Sequence, residues 1–171
     1  MWSAMTPFWS YVALRRGLAP GVASALAFAS VGVGVFGCVI AGKVADRVGR
    51  ALVTIVAMAV SGICALTVGS LLNGPLLLLV AVTFVWGVSV VADSAQFSAC
   101  VTELAPQEYV GTALTLQTCL GFLITIVTIR LVPEWARMWG WERAFVPLAI
   151  GPVVGIAAMA PLIRLTTPRP S

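Results

Sequence analysis

Residues 75–104 read PLLLLVAVTFVWGVSVVADSAQFSACVTEL, an apolar run interrupted by one carboxylate at Asp93 and closed by another at Glu103. A helix over this stretch rises about 45 Å, whereas about 20 residues already cross the hydrocarbon core of a bilayer. A run this long and this apolar reads as a membrane span whose last turns emerge into water or tilt. Its ends are punctuated. The turn Asn73-Gly74-Pro75 precedes it, and Pro106 ends it, because proline cannot continue the hydrogen-bond ladder and disfavours α geometry in the residue before it.

Working outward, four more stretches are long and apolar enough to span, approximately 21–42, 51–72, 110–132 and 144–164. Charge and turn residues collect between them, at Lys43–Arg50, Ala105–Tyr109 and Pro133–Arg143. These breaks are short, so consecutive helices are expected to be antiparallel neighbours. Over all 171 residues, 60% are hydrophobic and 9% charged, with a mean hydropathy of +1.05. A soluble domain carries roughly 25% charged residues. The expectation is an all-α membrane protein, a single antiparallel transmembrane helix bundle over 1–171 with five full spans and a partial N-terminal one.

Residues 1–14 supply the partial span. A helix of that length reaches only about 21 Å. A signal peptide is the alternative, but it wants a basic start and a small-residue cleavage site, and here Arg15 and Arg16 follow the apolar run. The tail of a sixth span is the favoured reading. Positive charge does not orient the bundle. Lys43, Arg47, Arg50, Arg164 and Arg169 fall on one side, and Arg15, Arg16, Arg130, Arg137 and Arg143 on the other.

Composition also narrows the chemistry. The net charge of +4 is scattered, which gives no nucleic-acid surface. Histidine is absent, so His-based metal sites and Ser–His triads are excluded. Cys38, Cys64, Cys100 and Cys119 each sit alone in a different apolar stretch, unlike a metal knuckle or a redox pair. No cofactor or metal is expected, and no enzyme motif is present.

Helices in lipid associate through small residues that let backbones approach. Ala27, Ser30, Gly34, Gly37 and Ala41 keep one face by steps of three and four, Ala57, Ser61, Ala65 and Gly69 recur every four residues, and Gly151 and Gly155 flank Pro152. All read as packing faces. The deciding stretch differs. Ser89, Asp93, Gln96, Cys100 and Glu103 share a helix face, with Trp86 before them on the same side. An Asp inside a span costs about 2.5–3.5 kcal/mol on insertion scales and is tolerable only against protein or a wet cavity. Asp93 lies about 27 Å along the helix from Pro75, and Glu103 about 15 Å further, at the interface. Either Asp93 makes a structural polar contact, or Asp93 and Gln96 wall a cavity that binds solute or carries a proton. The alignment of polar positions favours the cavity. Thr115, Thr118, Gly121, Thr125 and Thr128 form a second small-polar face in the next stretch, with Gln117 beside it.

The break Gly42-Lys43-Val44-Ala45-Asp46-Arg47-Val48-Gly49-Arg50 adds a pattern of its own. Gly42 and Gly49 permit a tight reversal, Asp46 is read as lying just before a helix N-terminus, where the macrodipole favours it, and Arg47 and Arg50 can bridge to acidic groups or headgroups. Every fixed position matches G-x-x-x-D-R-x-G-R, and the loop resembles that signature of the major facilitator superfamily. Gly140-Trp141-Glu142-Arg143-Ala144-Phe145 is similar to the family's G-W-x-x-A-F entry to a final half-repeat helix. Glu103–Gly111 resembles its loop after the tenth helix.

The resemblance covers nearly the whole chain and implies the C-terminal six-helix half of such a transporter. Residues 1–14 would then be the end of helix seven and the five full spans helices eight to twelve. It further implies a multi-pass protein of the plasma (bacterial inner) membrane with loop 43–50 and the C-terminus cytoplasmic. Gly42, Asp46, Arg47, Gly49 and Arg50 would form a conformational-switch loop. The cavity would lie between two halves that rock about the substrate, with Asp93 on helix ten and the threonine face on helix eleven. The function so implied is transport of a small solute, with a proton as candidate coupling ion. The candidate solute or proton site is Asp93, Gln96, Ser89, Trp86 and Gln117, and the partners are the lipid bilayer and an N-terminal half. The alternative is a truncated or non-transporting module that needs a separate N-terminal half.

Overall fold

The computed structural model describes residues 2–163, and among them the regular structure is entirely helical. The α-helices are α1 (Trp2–Arg16), α2 (Pro20–Gly32), α3 (Gly34–Val48), α4 (Arg50–Thr67), α5 (Leu76–Leu104), α6 (Val110–Trp139) and α7 (Ile150–Met159). Short 3-10 turns cover Ser70–Asn73, Val146–Ala149 and Ala160–Leu162.

Local chemistry sets most of the boundaries. α1 closes at Gly17 with a Leu18 N–H to Ala13 C=O bond of 2.9 Å, the wrapped end typical of a helix C-terminus. Pro20 opens α2, where its missing N–H costs nothing. α2 and α3 run on through Val33, which stays in right-handed helical geometry, and together form one span over Pro20–Val48. α5 starts after Pro75 and ends where Ala105, ahead of Pro106, turns extended.

Four helices are long and apolar enough to cross a bilayer, namely Pro20–Val48, Arg50–Thr67, Leu76–Leu104 and Val110–Trp139. They mark the chain as a membrane protein with a helical-bundle fold. The fifth expected span is shorter than its neighbours. Residues 141–145 form a turn, and the apolar helix that follows covers only Val146–Leu162. The span expected over 51–72 ends as an α-helix at Thr67 and finishes in the 3-10 turn. α6 departs the other way. It passes through Pro133 to Trp139, although Pro133–Arg143 reads as a break. The added turns are braced by an Arg137–Glu134 ion pair of 3.3 Å and by parallel stacking of Trp135 on Trp139 at 6.4 Å. Proline is more frequent inside membrane helices than inside soluble ones.

α5 is the centre of the bundle and packs against α2, α3, α4 and α6. The small-residue face of the first span accounts for its tightest contact. Ala27, Ser30, Gly34, Gly37 and Ala41 are all buried. Gly37 lies on the Val88 backbone, and at Gly87 any Cβ would collide with the Ser30 carbonyl oxygen. On α4, Gly62 faces Pro152 and Met58 faces Gly155, which seats α7. Sequence neighbours are not always neighbours in space. α7 packs on α4, while α6 meets chiefly α5 and α1 and leaves most of its surface uncovered. The core proper lies where α1 joins the bundle. Phe8 is fully buried with its ring edge-on to Phe145 at 5.2 Å, and Trp86 meets Phe145 at 5.4 Å.

Candidate functional site

The polar face of α5 divides into two edges, and helix geometry explains why. Residues seven apart on an α-helix drift by about 20°, so Trp86 and Asp93 lie along one edge, and Gln96 and Glu103 along the other. The two edges are separated by about 80°, enough to look into different spaces.

Asp93 and Trp86 open on a cavity of about 340 Å³ walled by α4, α5, α6 and α7, with Met5 of α1 at its margin. α4 contributes Met58, Ser61 and Ala65, α6 contributes Thr125, Thr128 and Ile129, and Gly151, Pro152 and Gly155 of α7 close the far side. Trp86 is held in place because its indole N–H donates to Ser61 Oγ at 3.2 Å. Asp93 accepts a hydrogen bond from Ser94 Oγ at 3.1 Å and forms no ion pair among the described residues.

The other edge meets Arg50. Its guanidinium bonds Glu103 through Nε, Gln96 Oε1 through Nη1 at 3.3 Å and Asp46 Oδ1 through Nη2 at 3.2 Å. α3, α4 and α5 are thereby tied together at one end of the bundle. Gln96, expected on the cavity wall beside Asp93, is buried in this cluster instead. Ser89 is also withdrawn from the cavity. Its hydroxyl returns to the Val85 carbonyl at 2.8 Å, and the side chain borders an apolar groove between α3, α4 and α5. Gln117 donates to Ser98 Oγ at 3.2 Å near the start of α6, away from the cavity lining. Of the five candidate site residues, the structure brings Asp93 and Trp86 together.

The threonine face of α6 is split as well. Thr125 and Thr128 line the cavity, whereas Thr115 and Thr118 are exposed and bond the carbonyls of Gly111 and Leu114 on their own helix. Sequence reasoning passed over Met58, Met5 and Phe97. For Met58 a signal existed, because Met58, Ser61 and Ala65 follow steps of three and four along the small-residue face of α4.

The segment 43–50 is not a loop. α3 continues through Gly42 to Val48, and the reversal is made at Gly49 alone, with φ 96° and ψ 141°. Asp46 therefore belongs to the last turn of α3, not to the approach to α4, and reaches Arg50 across one turn. Arg47 is exposed and makes no ion pair among the described residues. At the opposite end, Arg16 donates to the carbonyls of Leu72 and Gly74, which fastens α1 to the turn before α5. Arg164 and Arg169, and with them the side on which the C-terminus lies, fall outside the described residues.

Among the described residues no group of three or more acidic or cysteine side chains gathers to hold a metal. Cys64 and Cys100 are buried, and Cys119 is exposed on α6. Comparison with protein-family models, curated proteins and solved structures finds no match.

Proposed function

We propose that this chain is the C-terminal six-helix half of a secondary transporter of the major facilitator type, moving a small solute through the cavity faced by Asp93, with a proton as candidate coupling ion. The observation that carries this reading is a carboxylate inside a membrane-length helix, without a cationic partner among the described residues, opening on a cavity. A buried charge in a span is costly and usually serves a pathway. The resemblance over Gly42–Arg50 supplies the family and puts α5 and α6 in the positions of helices ten and eleven. Asp93 on α5 and Thr125 and Thr128 on α6 share one cavity, which accords with that placement. On this reading the protein resides in a plasma membrane, that of a bacterial cell in the first instance, with the Asp46–Arg50 end and the C-terminus cytoplasmic.

The uncovered surface of α6 favours a second reading. The chain is then a membrane module that transports only with a separate N-terminal half packed on that helix.

Uptake of labelled sugars, organic anions and organic cations into proteoliposomes across an imposed pH gradient tests both readings. Asp93→Asn is expected to lower uptake by about tenfold or more, the effect of leaving a buried polar partner unmatched, and to flatten its pH dependence. Unchanged uptake with unchanged pH dependence removes Asp93 from the mechanism. Uptake seen only after co-reconstitution with a six-helix partner selects the second reading.

A further inference from the structure

The lining of the cavity is asymmetric in charge. Among the described residues that form it, Asp93 is the one ionisable group, and no Lys or Arg faces it. On the adjoining α4, Arg50 is engaged by Asp46, Gln96 and Glu103 on the other edge of α5, and Arg130 of α6, next to Ile129, is exposed and not part of the lining. Around the carboxylate the wall consists of groups suited to a cation with an apolar body. Trp86 and Phe97 present π-systems, whose faces attract cations. Met5 and Met58 present polarisable thioethers. Thr125 and Thr128 spend their hydroxyl protons elsewhere, Thr125 on the Gly121 carbonyl and Thr128 on the Ile124 carbonyl, both at 2.8 Å. They therefore offer oxygen acceptors to the cavity. An anion would find no donor of positive charge there, and a sugar would meet a largely apolar wall. The volume of about 340 Å³ suits one small organic molecule.

From the charge and chemistry of this lining we infer that the cavity binds a monovalent organic cation with an aromatic or alkyl body, its charge on Asp93 and its apolar part between Trp86, Phe97 and Met58. This rests on the transporter reading for its direction of travel, not for the binding itself.

Equilibrium binding to the purified full chain in detergent tests it with three probes that share a two-ring body of similar size. They are 1-methyl-4-phenylpyridinium, neutral 4-methylbiphenyl and anionic biphenyl-4-carboxylate. The cation is expected to bind best. Asp93→Asn should weaken it by about thirtyfold or more, as expected when one partner of a desolvated charge pair is removed, and leave the neutral probe unaffected. Asp93→Glu should restore most of the preference. If Asp93→Asn is not recovered as a monodisperse species, Thr125→Lys sets an ammonium in the same cavity and should abolish cation binding alone. Equal or tighter binding of the carboxylate, no cation binding, or an Asp93→Asn chain that binds the cation as the parent does would each overturn the inference. Cation binding without uptake into proteoliposomes, whether the chain is alone or co-reconstituted with a six-helix partner, retains the ligand class and overturns the transport reading. Asp93-dependent uptake of a sugar or an anion does the reverse.

Discussion

At the residue scale, the decisive contacts are those that leave no room. Gly87 sits where α5 meets the first span so closely that any Cβ would strike the Ser30 carbonyl oxygen. Backbone cannot yield as a flexible side chain can. Gly87→Val is therefore expected to destabilise the bundle by about 3 kcal/mol, the upper range for overpacking a tight interior. Thermal unfolding of detergent-solubilised protein, followed by loss of helical signal, measures it. Arg50 is a residue of another kind, a hub for three partners. Its side chain is 23% exposed and that of Glu103 49%, so solvent screens the pair. A double-mutant cycle of Arg50→Gln with Glu103→Gln should return a coupling of about 1 kcal/mol or less. A much larger value would mean that the pair is shielded from water in the folded protein.

Single elements turn on where the backbone is free to bend. The reversal between α3 and α4 is concentrated in Gly49, whose φ of 96° is one that L-residues with side chains rarely adopt. Gly49→Ala is expected to cost about 1–3 kcal/mol of stability, the range for a residue held in a disfavoured region. The same substitution at Gly42, which is helical, should be neutral or mildly stabilising. Comparing the two melting temperatures tests whether the signature glycines share a role. Equal losses at both positions would contradict the continuous α3. In α6 the notable position is Pro133, followed within the helix by the Glu134–Arg137 ion pair and the Trp135–Trp139 stack.

Across the whole molecule, α6 is a membrane-length helix placed at the margin of the bundle. Its Cys119 is exposed while Cys64 and Cys100 are buried in the packed core. A membrane-permeant maleimide applied to the folded chain in detergent should label Cys119 at least about tenfold faster than either buried thiol, because burial excludes the reagent. Comparable rates at all three would show that α6 is packed against other helices. Loss of Cys119 labelling on co-reconstitution with a second bundle would locate the surface at which the two bundles meet.

The run 75–104 determined by itself that a long helix crosses lipid, since hydropathy over 30 residues admits no other solvent and the flanking prolines delimit it. The close face through Ala27, Ser30, Gly34, Gly37 and Ala41 was equally legible, because periodicity alone brings those residues to one side. Sharing a face did not settle what each residue meets. Asp93 and Gln96 sit on one stripe yet look into different spaces, one into the cavity and one onto Arg50, because the neighbouring helices divide a stripe about 80° wide. The pairing of α7 with α4 rather than α6 was likewise decided in tertiary structure. Local sequence states what a helix can bury. Which neighbour it buries that face against is set by the competition among all the helices for contact.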